Sequence, residues 1–208
     1  MISIKYHFLF IYIPETGSNR IQSALAPFSD ERLVYENEWQ DEREAFTVMN
    51  RGFKNTQYAT LGEYKRILPE IMYNSLTKFT VVRNPCDRMI SGYFSLQEGK
   101  VEFDQEAFKA VIHRPSPLEN YVNYKSNKLK FFPKNPFKCS DIDFFLKFED
   151  LGEEFSKAYK YFGLKDIVLD KPNNLERDDF RYYYHPSLKE IIYKKFRKEI
   201  DFFEYTFD

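Results

Sequence analysis

The sequence predicts an α/β fold in three layers, with a mostly parallel central sheet flanked by helices. Three stretches of the chain carry that expectation. The apolar run Phe8 to Ile13 shows no polar alternation, as expected of a strand covered on both faces. It stops at Pro14 and passes through Thr16, Gly17 and Ser18 into a helical pattern. The β-branched run Phe79 to Val82 leads in the same way through Arg83-Asn84-Pro85 into a helix opened by Asp87, and Phe144 to Phe148 leads into another from Asp150. Repeated strand–turn–helix units in 208 residues fit one α/β domain, residues 1–208, with a sizeable core.

In chain order, strands are expected at Lys5 to Ile13, Lys78 to Val82 and Phe144 to Phe148. The first helix, Ser18 to Ala26, carries Ile21 and Leu25 and takes Ser18 or Asn19 as its cap. Leu61, Tyr64, Leu68 and Met72 share one face of a helix from Leu61 to Asn74, despite Pro69. Met89, Ile90, Tyr93 and Phe94 place a helix over Asp87 to Gln97, and further helices are expected at Asp104 to His113, Asp150 to Gly163 and Pro186 to Lys198. The stretch from Arg114 to Cys139, rich in Pro, Lys and Asn, reads as an irregular insertion; it either shapes a binding site or is a plain surface loop. His7 reads as a packed residue of the first strand, His113 as a helix cap, and His185 as a feature of the last helix's N-terminus.

Composition limits the function classes. Charged residues make up 30% of the chain but the net charge is −1, so no bulk basic field points to nucleic acid. Two cysteines are too few for a disulfide framework, and three scattered histidines suggest no metal site. The apolar run at Phe8 is far shorter than the roughly 20 residues that span a bilayer, and no leader is recognisable, so a cytoplasmic protein without a transmembrane segment is expected.

The chemistry concentrates at two turns. Gly17 permits a sharp turn and close approach, and the helix that follows turns its positive end and free N–H groups toward the same point, a combination that binds anions. Neither the G-x-x-x-x-G-K-[ST] phosphate loop nor the three-glycine dinucleotide fingerprint is present. Arg83 stands at the carboxyl end of its strand, where open α/β sheets bind ligands, and Ser91 lies one turn beyond Asp87. Arg83 and Ser91 are therefore able to clasp one phosphate through forked and hydroxyl donors. The alternative is Arg83 paired with Asp87 and Ser91 facing solvent.

Together, Y-I-P-E-T-G-S-N and V-V-R-N-P-C-D-R-M-I-S-G-Y-F resemble the nucleotide-binding elements of the sulfotransferases that use 3′-phosphoadenosine 5′-phosphosulfate (PAPS). F-L-K-F-E-D-L and the closing Y-Y-H-P-S-L and D-F-F-E-Y-T-F extend the resemblance over nearly the whole chain. It implies a fold like the P-loop nucleotide kinases, PAPS as donor, adenosine 3′,5′-bisphosphate (PAP) as product, and no metal. Thr16, Gly17, Ser18, Asn19 and Arg20 would hold the 5′-phosphosulfate, and Arg83 with Ser91 the 3′-phosphate. Asn174 and Arg177 would close over the nucleotide. The branch resembled, carbohydrate-type, Golgi-like and bacterial, implies a carbohydrate or glycolipid acceptor and a bacterial source.

Two positions depart from the pattern. Glu15 replaces the family's Lys, and Tyr58, in Q-Y-A-T-L-G-E-Y, replaces its usual His. Losing one transition-state donor costs about 10²–10³ in rate, and losing a general base roughly 10²–10⁴. Arg20 is a candidate for the missing charge and Glu15 for the base. Two other classes remain open: a catalytically impaired nucleotide-binding protein, and a small-molecule kinase. The kinase is disfavoured because no Lys-Ser/Thr pair follows Gly17.

Overall fold

The computed structural model describes residues 1–30, 32–35, 46–49, 58–97, 102–114, 116–122, 141–165, 167–170 and 177–207. Among the described residues there are six strands: β1 (Ile2–Ser3), β2 (Phe8–Ile11), β3 (Arg32–Tyr35), β4 (Phe46–Met49), β5 (Thr77–Val82) and β6 (Phe144–Lys147). Four of them form an open sheet in the order β1-β2-β5-β6, and β3 with β4 makes a separate antiparallel pair. β5 pairs in parallel with both β2 and β6, and β1 runs antiparallel along β2. The helices are α1 (Ser18–Leu25), α2 (Leu61–Ile67), α3 (Glu70–Ser75), α4 (Pro85–Leu96), α5 (Gln105–Ile112), α6 (Pro117–Tyr121), α7 (Leu151–Tyr161) and α8 (Pro186–Phe203).

Alternate residues of β2 serve opposite faces of the sheet. Phe8 and Phe10 pack with Ile21 and Leu25 of α1, Phe79 and Val81 of β5, and Phe155 of α7. Leu9 and Ile11 join Leu61 and Tyr64 of α2, Tyr73 of α3 and Phe203 of α8. Both faces are covered, which is why the strand needs no polar alternation; each fully buried Phe contributes about 1.5–3 kcal/mol. A third cluster joins Ile90 of α4, Phe108 of α5, and Leu188, Ile192 and Phe196 of α8. Inside it Arg88, 1% exposed, pairs with Glu199 at 2.8 Å, and Ser116 donates to the other oxygen of that carboxylate.

Several sequence expectations need correction. The first strand begins at Phe8, not Lys5, because the chain reverses over Ile4 to His7 to lay β1 against β2. His7 is accordingly exposed, at φ 55°, in a left-handed turn conformation that His tolerates better than most residues. The helix expected over Leu61 to Asn74 is two helices. Pro69 pushes Leu68 out of the helical region to ψ 141°, and the chain restarts at Glu70. Ser18 is the first helical residue rather than the cap; Gly17 holds the cap position and no side chain caps the helix. The last helix runs on to Phe203, past Lys198, because Glu199, Ile200 and Phe203 continue its buried face. β1, the β3–β4 pair and α6 had no clear signal. His113 does stand at the C-cap of α5 and His185 at the N-cap of α8. Most of the expected insertion, including Cys139, lies outside the described residues. Among those that are described, no helix is long and apolar enough to cross a membrane.

Glu199→Ala leaves the Arg88 guanidinium buried without its counter-charge, so urea denaturation should show a loss of about 3–5 kcal/mol. Lys109→Ala, which removes a surface pair with Glu106, should leave the midpoint nearly unchanged. Burial, reinforced by the Asp87 charge, pushes the Cys86 thiol from an ordinary 9.0 up to about 12. The native thiol thus keeps its proton where the unfolded chain's ionises, and this contribution is complete below pH 9 and lost as the pH rises to about 12. In that window wild type should lose stability more steeply than Cys86→Ala, by up to about 1.4 kcal/mol per pH unit.

Candidate active site

β2 ends in a turn that closes on itself. The Thr16 hydroxyl donates to the Ile13 carbonyl at 2.7 Å, and the Ile13 N–H donates to Ser18 Oγ at 3.2 Å. Thr16 Oγ1 and Ser18 Oγ lie 2.8 Å apart. Thr16 has one hydroxyl proton and gives it to Ile13, so Ser18 must donate across that contact. Both protons are taken up inside the loop, and both residues are buried. Their hydroxyls shape the turn; what the loop offers an anion is the backbone N–H groups of an α1 terminus that no side chain caps.

Gly17 is required for two reasons. Its φ is +77°, and a Cβ there would come within 2.9 Å of the Phe148 ring and 3.2 Å of Leu151. The side on which a Cβ would lie is thus filled by the segment after β6. The same Phe148 ring lies 4.0 Å from the Arg83 guanidinium. Arg83, at the carboxyl end of β5, donates from Nε to Asp87 at 2.7 Å and from Nη1 to the Glu15 backbone carbonyl at 2.9 Å. Asp87 also receives Arg177, so one carboxylate joins two arginines.

Glu15 completes the junction from the other side. At φ 63° its side chain lies over Gly92 of α4, and its carboxylate accepts from Ser91 at 2.7 Å and Ser95 at 3.1 Å. Arg83 and Ser91, paired in the sequence analysis as a phosphate clasp, thus both reach Glu15. The solvent-facing alternative for Ser91 does not hold, since it is 8% exposed, whereas the Arg83–Asp87 pair is present as well.

The remaining sequence candidates are more scattered. Arg20 Nε donates to the Asp170 carbonyl at 2.7 Å, tying the guanidinium to the chain after α7, and Asn19 is exposed. Tyr58 packs edge-on against Tyr12 at 5.3 Å, beside the start of the loop, and near Tyr121 at 6.5 Å. Asn174 lies outside the described residues.

Three contributors were not picked out from sequence. Ser95 follows Ser91 by one helical turn, a spacing that could have signalled it. Phe148 buttresses both loops. Glu149 accepts from the Asn84 N–H at 2.7 Å and fixes the turn that presents Arg83. Gly17→Ala should lower thermal stability by about 1–3 kcal/mol from backbone strain alone, and Gly17→Ala combined with Phe148→Ala should lose less than the sum of the two singles, since the second change removes the clash.

A family model described as the Sulfotransferase family matches residues 1–206. No curated protein and no solved structure matches the chain. The match takes in both turns, the Phe148–Glu149 buttress and the closing helix, and on that span the chain belongs to the Sulfotransferase family of transferases.

Proposed function

We propose that the protein transfers a sulfuryl group from PAPS to a hydroxyl of a carbohydrate or glycolipid acceptor. The meeting of the two turns supports this most directly: an Arg, a Ser and an uncapped helix N-terminus converge at Glu15, at the carboxyl edge of the parallel strands. Backbone N–H groups between Thr16 and Arg20 receive the 5′-phosphosulfate, with Gly17 setting the turn. Arg83 and Ser91 receive the 3′-phosphate. Arg177, joined to Arg83 through Asp87, adds positive charge, and Asn174 completes the nucleotide's cover. A fold like the P-loop nucleotide kinases and a single domain over residues 1–208 belong to the same reading.

In the reaction the acceptor oxygen attacks sulfur in line. The bond from sulfur to the bridging oxygen breaks, PAP leaves with the electron pair, and the hydroxyl proton passes to a base. Glu15 brings a carboxylate to the turn and Tyr58 a phenol to its edge. Arg20, held by the Asp170 carbonyl, contributes charge at the rim. A second reading, a nucleotide-binding protein with impaired catalysis, is favoured by one observation: the Ser91 hydroxyl is already taken by the Glu15 carboxylate.

Transfer of labelled sulfate from PAPS to a panel of cell-envelope glycans tests the proposal. Transfer to a glycan is expected, together with a larger melting shift from PAP than from ATP–magnesium. Tight PAP binding without transfer to any glycan would select the impaired protein, and absence of PAP binding would overturn both readings. Arg83→Ala should weaken PAP binding by about 1.5–3 kcal/mol, the worth of a charge-assisted hydrogen bond. Glu15→Lys should raise transfer by up to about 10²–10³ by restoring a donor at the bridging oxygen; loss of transfer in that variant would instead identify Glu15 as the base.

A further inference from the structure

Glu15 does more than depart from the family's pattern. Its carboxylate accepts hydrogen bonds from two hydroxyls one helical turn apart, Ser91 at 2.7 Å and Ser95 at 3.1 Å. Its Cγ stands 3.6 Å from where a Cβ on Gly92 would be, so the side chain lies flat on α4 between the two serines. Arg83 grips the Glu15 carbonyl and so fixes the backbone from which the side chain leaves. A carboxylate is planar, singly charged and presents two acceptor oxygens. Both hydroxyls donate to the same oxygen, Oε2, so the carboxylate offers the two serines one anionic oxygen, as a phosphate would.

We propose that the Glu15 carboxylate is a tethered occupant of the 3′-phosphate subsite. It would be held there by Ser95 and displaced from Ser91 only by a nucleotide that carries a phosphate at that position. This rests on the nucleotide reading above. Ser91 is then the donor that carboxylate and ligand share, and Ser95 is a positioning residue that favours the occupied form. Glu15 thereby acts as a specificity determinant. A nucleotide without the 3′-phosphate leaves the carboxylate in place, whereas one that has it must compete with it. Removing the occupant should favour the second class of nucleotide over the first, and the two serines, though on one helix face, should not act alike, because Ser95 serves the occupant alone and Ser91 serves both.

Titration calorimetry with PAP and 5′-AMP on wild type, Glu15→Gln, Ser95→Ala and Ser91→Ala tests this. Glu15→Gln keeps the side chain's shape and should raise the preference for PAP over 5′-AMP by about tenfold or more. Ser95→Ala should raise PAP affinity about two- to tenfold by loosening the occupant, and Ser91→Ala should leave it nearly unchanged, since that change takes one hydrogen bond from occupant and ligand alike. Equal gains for both nucleotides in Glu15→Gln would overturn the proposal while leaving the nucleotide reading intact. So would losses of PAP affinity in both serine variants. Failure of PAP to bind any of the four proteins would overturn the nucleotide reading itself.

Discussion

The contact on which the candidate site depends is made by a side chain with no polar group, that of Phe148. The Phe148 ring lies where a Gly17 side chain would be and stacks 4.0 Å from the Arg83 guanidinium. It belongs to the turn after β6, while Gly17 follows β2 and Arg83 follows β5. The three strands are parallel neighbours, so their carboxyl ends meet at one edge, and a single ring sets the spacing there. Guanidinium over an aromatic face is worth about 0.5–2 kcal/mol depending on desolvation. Its larger effect is geometric, because it holds the Arg83 plane so that Nε meets Asp87 and Nη1 meets the Glu15 carbonyl.

Around that contact the charges balance. Arg83 and Arg177 share Asp87, all three poorly exposed, and the Glu15 carboxylate is held by Ser91, one helical turn along α4 from Asp87. Unpaired, any of these charges would carry a desolvation penalty of several kcal/mol. Without Glu15 the cluster would hold a net positive charge, the state that an entering phosphate neutralises. On the proposal made above, the Glu15 carboxylate occupies the ligand-free site through the same hydroxyl donors that would hold a phosphate.

The sheet and the meeting of the turns that form the candidate site were legible because each buried strand ends in a turn with unusual residues, and apolar runs without alternation have few other readings. The strand order followed from nothing in the sequence; it came from the register of Phe79 with Phe10 and Phe144. The break at Pro69 was readable and was overridden by the apolar face around it. β1 was not readable, since two residues carry no period. Arg83 and Ser91 were singled out because their residue types suit an anion; that both reach Glu15 was not read from the sequence. Glu15 was weighed as a base, and only its left-handed backbone brings its side chain back onto α4. A φ of 63° on a glutamate has no sequence signature.

That backbone angle also bears on whether Glu15 is an accident. A non-glycine residue in the left-handed region costs about 1–2 kcal/mol. Two hydrogen bonds to a carboxylate return about 1.5–3 kcal/mol each, so Ser91 and Ser95 outweigh the strain. Asn tolerates this backbone region better, and Gly would remove the strain entirely. Neither would bring a carboxylate to both serines. A residue that kept only the turn would not need the α4 hydroxyls, and one that kept only the hydroxyls would not need the strained turn. Glu15 satisfies both at once, with its carbonyl on Arg83 and its carboxylate on Ser91. It therefore couples the turn after β2 to the turn and helix after β5 through one residue, and moving its side chain off Ser91 frees the hydroxyl without disturbing the Arg83 contact to the backbone.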